Sequence, residues 1–295
     1  MVAILGGLGA AASWAFATLA SSRSSRMVGA VSVIGWVMLV GLTASVGPAL
    51  LTVPPDLQLG TIAALIVAGF SYNAGLLLTY AALTVGRVSI VAPITATEGA
   101  LAAVAAVALG EPLAGSTALI LAAIAVGVIL AAYERAVDDE AEAVLAEEVG
   151  SGPHATNPRR AVVLAIAAAA SFSVGLVVAG RLGEAGIPAT WVVMVPRAVG
   201  VVGITLPLLA VRRLRLARPA APLVVFSGLL EALGSGLYVI AAKDGLALAA
   251  VLGSQFAAIA AIGGFVFFGE RLQRVQVLGV LIIALGVAVL AATQA

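Results

Sequence analysis

Long apolar runs separated by short polar punctuation mark the chain from end to end. The runs fall at about 2–20, 27–47, 60–83, 88–109 and 113–133, then at about 161–182, 188–211, 221–242, 246–268 and 272–292. A helix crossing the hydrocarbon core of a bilayer needs about 20 mostly apolar residues, so each run reads as one membrane helix. The breaks between them are short, among them SSRSSR, TVPPD, VGR, GEP, GEAGIP, AKDG and GERLQR. This pattern predicts an all-α integral membrane protein, a compact bundle of ten transmembrane helices. The opening MVAILGGLGAAASWAFATLASSRSSR lacks the positively charged start of a secretory signal peptide, and is read as the first, retained helix.

One connection is long. Residues 134–160 hold seven acids against three arginines and end in Gly, Pro, Ser and Asn, the composition of a solvated linker. It separates residues 1–133 from 161–295, and the two parts repeat each other. A shift of 159 places Gly86 on Gly245, Gly110-Glu111 on Gly269-Glu270 and Gly127 on Gly286. Upstream, a shift of 158 places Tyr80 on Tyr238, Asn73 on Glu231 and Ser13-Trp14 on Ser171-Phe172. Self-similarity at a fixed offset marks an internal repeat. Five helices per unit is an odd number, so the second unit enters the membrane from the opposite side. Inverted repeats of this kind are a recurring plan of secondary transporters, whose substrate site lies near the midplane between the halves.

Composition sharpens the picture. Hydrophobic residues make up 62% of the 295, charged residues only 10%, and mean hydropathy is +1.18. A soluble domain carries about 25% charged residues. A net charge of +1 makes no case for nucleic acid. The chain has no cysteine and a single histidine, His154 in the linker, so it offers no thiolate or histidine metal site and no cofactor is expected. Most Lys and Arg fall in the odd-numbered connections; the even-numbered ones carry only Arg181 and Lys243. The positive-inside rule then puts the odd loops in the cytoplasm and both termini outside.

The stretch APITATEGALAAVAAVALGEPL, recurring as LGSQFAAIAAIGGFVFFGERL, resembles the fourth and ninth helices of EamA-type members of the drug/metabolite transporter superfamily. Two five-helix repeats and an aromatic in helix 1, here Trp14, are similar too. The resemblance implies that helices 1–4 and 6–9 surround a central path with helices 5 and 10 as outer supports. It implies transport, often export, of a metabolite or drug across a bacterial-type cytoplasmic membrane. Many such relatives keep both termini inside, and the charge count departs from them there.

Charges inside the bilayer carry the sharpest chemical signal, since each costs on the order of 2.5–3.5 kcal/mol at a helix centre. Three fall there: Glu98 in helix 4, Arg197 in helix 7 and Glu231 in helix 8. Facing the central path they would bind substrate or load and release a proton; paired with each other they would lock helices together. Asn73 shares Glu231's repeat position, which favours a place near the axis for both. Trp14, Tyr72, Tyr80, Trp191, Tyr238, Gln255 and Phe256 lie on helices expected around the path, although Trp36 and Trp191 also suit interfacial anchors. Pro93 and Pro196 lie inside helices 4 and 7, where each removes a backbone donor and offers a bend for gating. Glu111 and Glu270 sit at membrane-edge turns, where each carboxylate can accept from the free N–H groups opening the next helix.

The expected function is alternating-access movement of a small organic metabolite, such as an amino acid or drug-like compound, with H⁺ as a candidate coupling ion. The expected partners are the bilayer and that small-molecule substrate; monomer and dimer both stay open. No G-x-x-x-x-G-K-[ST] is present to bind ATP. The alternatives are a non-transporting membrane scaffold or receptor, and an integral membrane enzyme, for which the acids are poorly placed.

Overall fold

The structure, a computed structural model, describes residues 1–56, 58–85, 91, 94–132, 158–256, 258–259 and 274–293. Among these residues every regular element is helical: α1 Val2–Val28, α2 Ala30–Leu50, α3 Leu59–Val85, α4 Glu98–Ala108 and α5 Gly115–Ala132, then α6 Pro158–Glu184 and α7 Ala189–Gly200. A single π turn, Val201–Thr205, joins α7 to α8 Leu206–Ala210. A 3₁₀ turn, Arg218–Ala220, precedes α9 Ala221–Ala242, α10 Leu246–Gly253 and α11 Arg274–Thr293. Each of the ten expected segments holds helix. Among the described residues, six stretches are long and apolar enough to cross a membrane: Val2–Ser25, Ala30–Leu50, Leu59–Thr79, Arg159–Glu184, Ala189–Ala210 and Arg218–Ala242. Glu98–Ala108, Gly115–Leu130 and Arg274–Gly286 are apolar but shorter.

The fourth and ninth segments correct the expectation of continuous helices. The fourth breaks at a turn over Ala96 and Thr97, immediately before α4, and the ninth at a turn over Ser254 and Gln255, immediately after α10. In lipid a freed backbone group must be satisfied by the protein itself, and hydroxyls serve both breaks. Thr97 Oγ1 donates to Ile94 O at 2.7 Å, and Ser254 Oγ donates to Val251 O at 2.9 Å. Gly99 packs where α4 crosses α10, and a Cβ there would overlap Ala250 O and Ser254.

The helices pack in antiparallel pairs: α1 on α9, α3 on α6, α2 on α7, α4 on α10 and α5 on α11. Exchanging the first five segments for the second five maps this set of pairs onto itself. Apolar residues point outward around the bundle, as Leu5, Phe70, Val104 and Leu285 do, which in water would be a liability and in lipid is the solvent-facing surface. Buried alanines and small side chains let the pairs approach closely.

The Gly-Glu turn after α4 explains one end of the bundle. Gly110 adopts φ +95°, a conformation glycine reaches without a Cβ clash. Its N–H donates to Val107 O at 3.0 Å while the Glu111 N–H donates to Ala106 O at 3.1 Å, the Schellman arrangement that satisfies terminal carbonyls. The reversal aims Glu111 across the bundle, and this corrects the expected partner. Its carboxylate accepts from the Ala247 N–H, Oε2 at 3.0 Å and Oε1 at 3.3 Å, so it caps α10 in the other half and not the next helix. Arg181 from α6 closes the same end by donating to Leu109 O at 3.1 Å. Thr52 and Thr190 Oγ1 atoms meet at 3.0 Å, also across the halves. The repeat-equivalent Glu270 and the helix-4 proline Pro93 lie outside the described residues.

Replacing Glu111 with alanine removes a cap from a helix of eight residues. The expected cost is about 1–2 kcal/mol, read as a lowered Tm of the purified protein in detergent, with Glu111→Gln losing less because it keeps an acceptor. Equal stability of Glu111→Ala and wild type would show that the contact contributes nothing.

Candidate functional site

Between the two halves lies a cavity of about 560 Å³. Its walls come from α1, α2, α3 and α4 on one side and α6, α7 and α9 on the other, with Val91, Thr95 and Phe256 from the broken fourth and ninth segments. Neither α5 nor α11 contributes a lining residue among those described. At one end the lining reaches Ser25 and Ala30, beside the α1–α2 turn; at the other it stops at Val192, Tyr238 and Val239, which are almost fully buried. A large apolar core, to which α1, α4, α9 and α10 contribute most residues with others from α3, α5, α6 and α7, seals that second end.

Helix geometry builds the walls. Trp14, Thr18, Ser21 and Ser25 all line the cavity; their spacing of four, three and four residues is one face of α1. Trp14 lies 6.0 Å from the Tyr238 ring, and Phe172 lies 6.0 Å from the Tyr72 ring, edge-on. Close backbone approach admits both: a Cβ at Gly75 would strike Phe172, and one at Gly234 would strike Trp14.

The polar centre is a single network across three helices. Arg197, only 1% exposed, donates from Nη2 to Glu231 O at 2.9 Å and to Ser235 Oγ at 2.8 Å. Ser235 Oγ donates in turn to Glu231 O at 2.8 Å. The guanidinium stands 4.7 Å above the Tyr72 ring, a cation–π contact, and Nη2 lies 3.9 Å from Glu231 Oε2. Tyr72 OH donates to that same Glu231 oxygen. The pairing of Arg197 with Glu231, one of the two readings the sequence allows, is therefore present. It lines the cavity at the same time, so the locking and the cavity-facing readings are not exclusive. Taking two charges out of water is costly, and such a pair relies on further hydrogen bonds; Tyr72, Ser235 and a carbonyl supply them here, while Arg197 Nε stays buried without a partner.

Glu98 lines the cavity at the first turn of α4 and is 6% exposed. Among the remaining expected residues, Trp14, Tyr238, Phe256 and Pro196 line it. Tyr238 donates to Leu176 O at 2.9 Å. Asn73 and Gln255 are buried but do not line it; Asn73 Nδ2 stays behind the wall, donating to Gly69 O at 2.8 Å and Pro196 O at 3.1 Å. Its contact at Pro196 ties α3 to the proline-bearing helix, one residue from Arg197. Tyr80 is on α3, its side chain outside the described residues. Trp36 donates to Arg215 O at 3.0 Å, while Trp191 is half-buried at the start of α7. Sequence reasoning passed over Ser235, although its place four residues after Glu231 on one helix predicts a shared face.

The family model of the EamA-like transporter family matches residues 1–133 and again 159–292, and the chain belongs to that family. No curated protein matches it. A solved structure titled only "Crystal structure of protein" shares its fold with a TM-score of 0.75 at 16% identity, over 99% of this chain and 96% of that one. The chain is thus an integral membrane protein of a transporter family, in contact with the bilayer.

Replacing Arg197 with leucine leaves Glu231 facing Tyr72 with no cation, which costs about 3–5 kcal/mol. Tyr72→Phe, which removes one donor, costs about 1–3 kcal/mol. Thermal unfolding in detergent should rank them in that order, and Arg197→Leu/Glu231→Leu should recover part of the single mutant's loss. Additive losses in the double variant would show that the two side chains are not coupled.

Proposed function

We propose that the protein is a secondary transporter that moves a small organic metabolite, of amino-acid or drug-like size, outward across a bacterial-type cytoplasmic membrane by alternating access. The observation that carries this reading is the cavity: walled by both halves, it is lined by Glu98, Arg197 and Glu231. Its volume falls within the roughly 300–1,000 Å³ of small-molecule sites. A scaffold has no use for such a cavity, because buried charges cost stability and add no surface for a partner.

Two inverted five-helix repeats on either side of the linker, ten spans in all, supply the moving parts. Three observations support that arrangement: the self-mapping helix pairs, the two breaks in the fourth and ninth segments, and the double match of the family model. The Glu111, Arg181 and Thr52 contacts tie the halves together at one end, while the cavity reaches the helix ends at the other. Rocking one repeat against the other would release those contacts and seal the opposite end. Export is the direction the resemblance implies. Glu98 and Glu231, both facing the cavity, supply carboxylates able to carry H⁺ through such a cycle, which makes a proton the proposed coupling ion.

Purified protein in liposomes, offered a panel of labelled amino acids and related metabolites with and without an imposed pH gradient, tests this reading. Gradient-driven flux of one or more solutes, lost in Glu231→Gln, is the expected result. Flux that ignores the gradient in both proteins would remove proton coupling and leave facilitated transport. Absence of flux for every solute would count against transport itself.

A further inference from the structure

The cavity holds two acids and one arginine, whose Nη2 is already bonded although its Nε is buried without a hydrogen-bond partner. Arg197 is held by the Glu231 carbonyl, Ser235, the Tyr72 ring and the Glu231 carboxylate. Tyr72 and Tyr238, the other ionisable groups on the walls, each donate their hydroxyl proton to a protein acceptor. Glu98 is different. Among the described residues its carboxyl group makes no hydrogen bond and no ion pair, yet the residue is 94% buried, lines the cavity and sits on a helix start that Gly99 pins against α10.

A buried carboxylate without a partner is expensive, and a cation arriving beside it would supply the partner that it lacks. An incoming anion would face an uncompensated like charge. A neutral solute would leave the carboxylate as it found it. An ammonium group would complete the balance with charge-assisted hydrogen bonds, which are about twice as strong as neutral ones. The surroundings suit the rest of such a molecule, because Trp14, Phe172 and Phe256 present ring surface for an apolar body and for cation–π contact.

We infer that Glu98 is the docking carboxylate for the ammonium group of an amphipathic organic amine, with the Arg197–Glu231–Tyr72 network acting as a fixed, internally neutral floor. This inference rests on the transport reading and narrows its solute class, from small organic metabolites in general to cationic amines with an aromatic or aliphatic body.

Isothermal titration calorimetry on the full chain in detergent at neutral pH, using three probes of matched size, tests it. The probes are 2-phenylethylamine, 2-phenylethanol and 3-phenylpropionate. The amine should bind about tenfold or more tightly than the alcohol, and the carboxylate most weakly. Glu98→Gln should bring the amine's affinity down to the alcohol's while leaving the alcohol unchanged, and Glu98→Asp should keep the preference. The wild-type order decides the matter by itself should a variant fail to fold. Tighter binding of the alcohol or the carboxylate, a preference that survives Glu98→Gln, or no binding of any probe would each overturn the assignment. The first outcome leaves the cavity as a solute site of another class and the second leaves an amine site anchored elsewhere, so transport stands in both; that reading fails separately, through absent flux in liposomes.

Discussion

Inside a bilayer no solvent completes an interrupted hydrogen bond, and every other feature of this protein follows from how it meets that constraint. Where the chain leaves helical geometry at membrane depth, the protein itself takes up the freed groups. Thr97 and Ser254 do so locally, each donating to a carbonyl three residues upstream at the two broken segments. Glu111 does so at the start of α10, reaching from one half of the molecule into the other. The same economy governs the charges: Arg197 and Glu231 persist in the core because a tyrosine, a serine and a backbone carbonyl surround them.

The Gly-Glu turn shows how local chemistry becomes global architecture. A glycine at positive φ reverses the chain at the end of α4, the reversal projects a carboxylate, and the carboxylate finishes a helix across the interface. The cap and the few polar pairs at that end, each worth on the order of 1 kcal/mol, add direction to a much larger apolar interface, because all five packed helix pairs run between the halves.

Much of this was legible in the sequence. Apolar runs located the helices, and the repeat offsets related the two halves without saying which helices would pair. The cost of intramembrane charge singled out Glu98, Arg197 and Glu231, all of which line the cavity. What stayed hidden was non-local. Neither Thr97 nor Ser254 announces a break, because threonine and serine also sit comfortably inside membrane helices with hydroxyls bonded back to the preceding turn. The partner of Glu111 lies 136 residues away, and no local pattern can supply that. Asn73 and Glu231 share a repeat position, yet one backs the wall and the other lines it, because a duplication preserves placement along a helix better than it preserves the direction of each side chain.

Whether water reaches the cavity between the halves can be measured by cysteine labelling, because the chain has no cysteine of its own. Single cysteines at Thr18 and Leu76, on the cavity walls, and at Phe70, on the outward surface, would be exposed to a membrane-impermeant maleimide in reconstituted vesicles. Thr18→Cys and Leu76→Cys should be modified, with Phe70→Cys left unmodified in the lipid. Protection of both wall positions, from either side of the membrane, would contradict a cavity open to water.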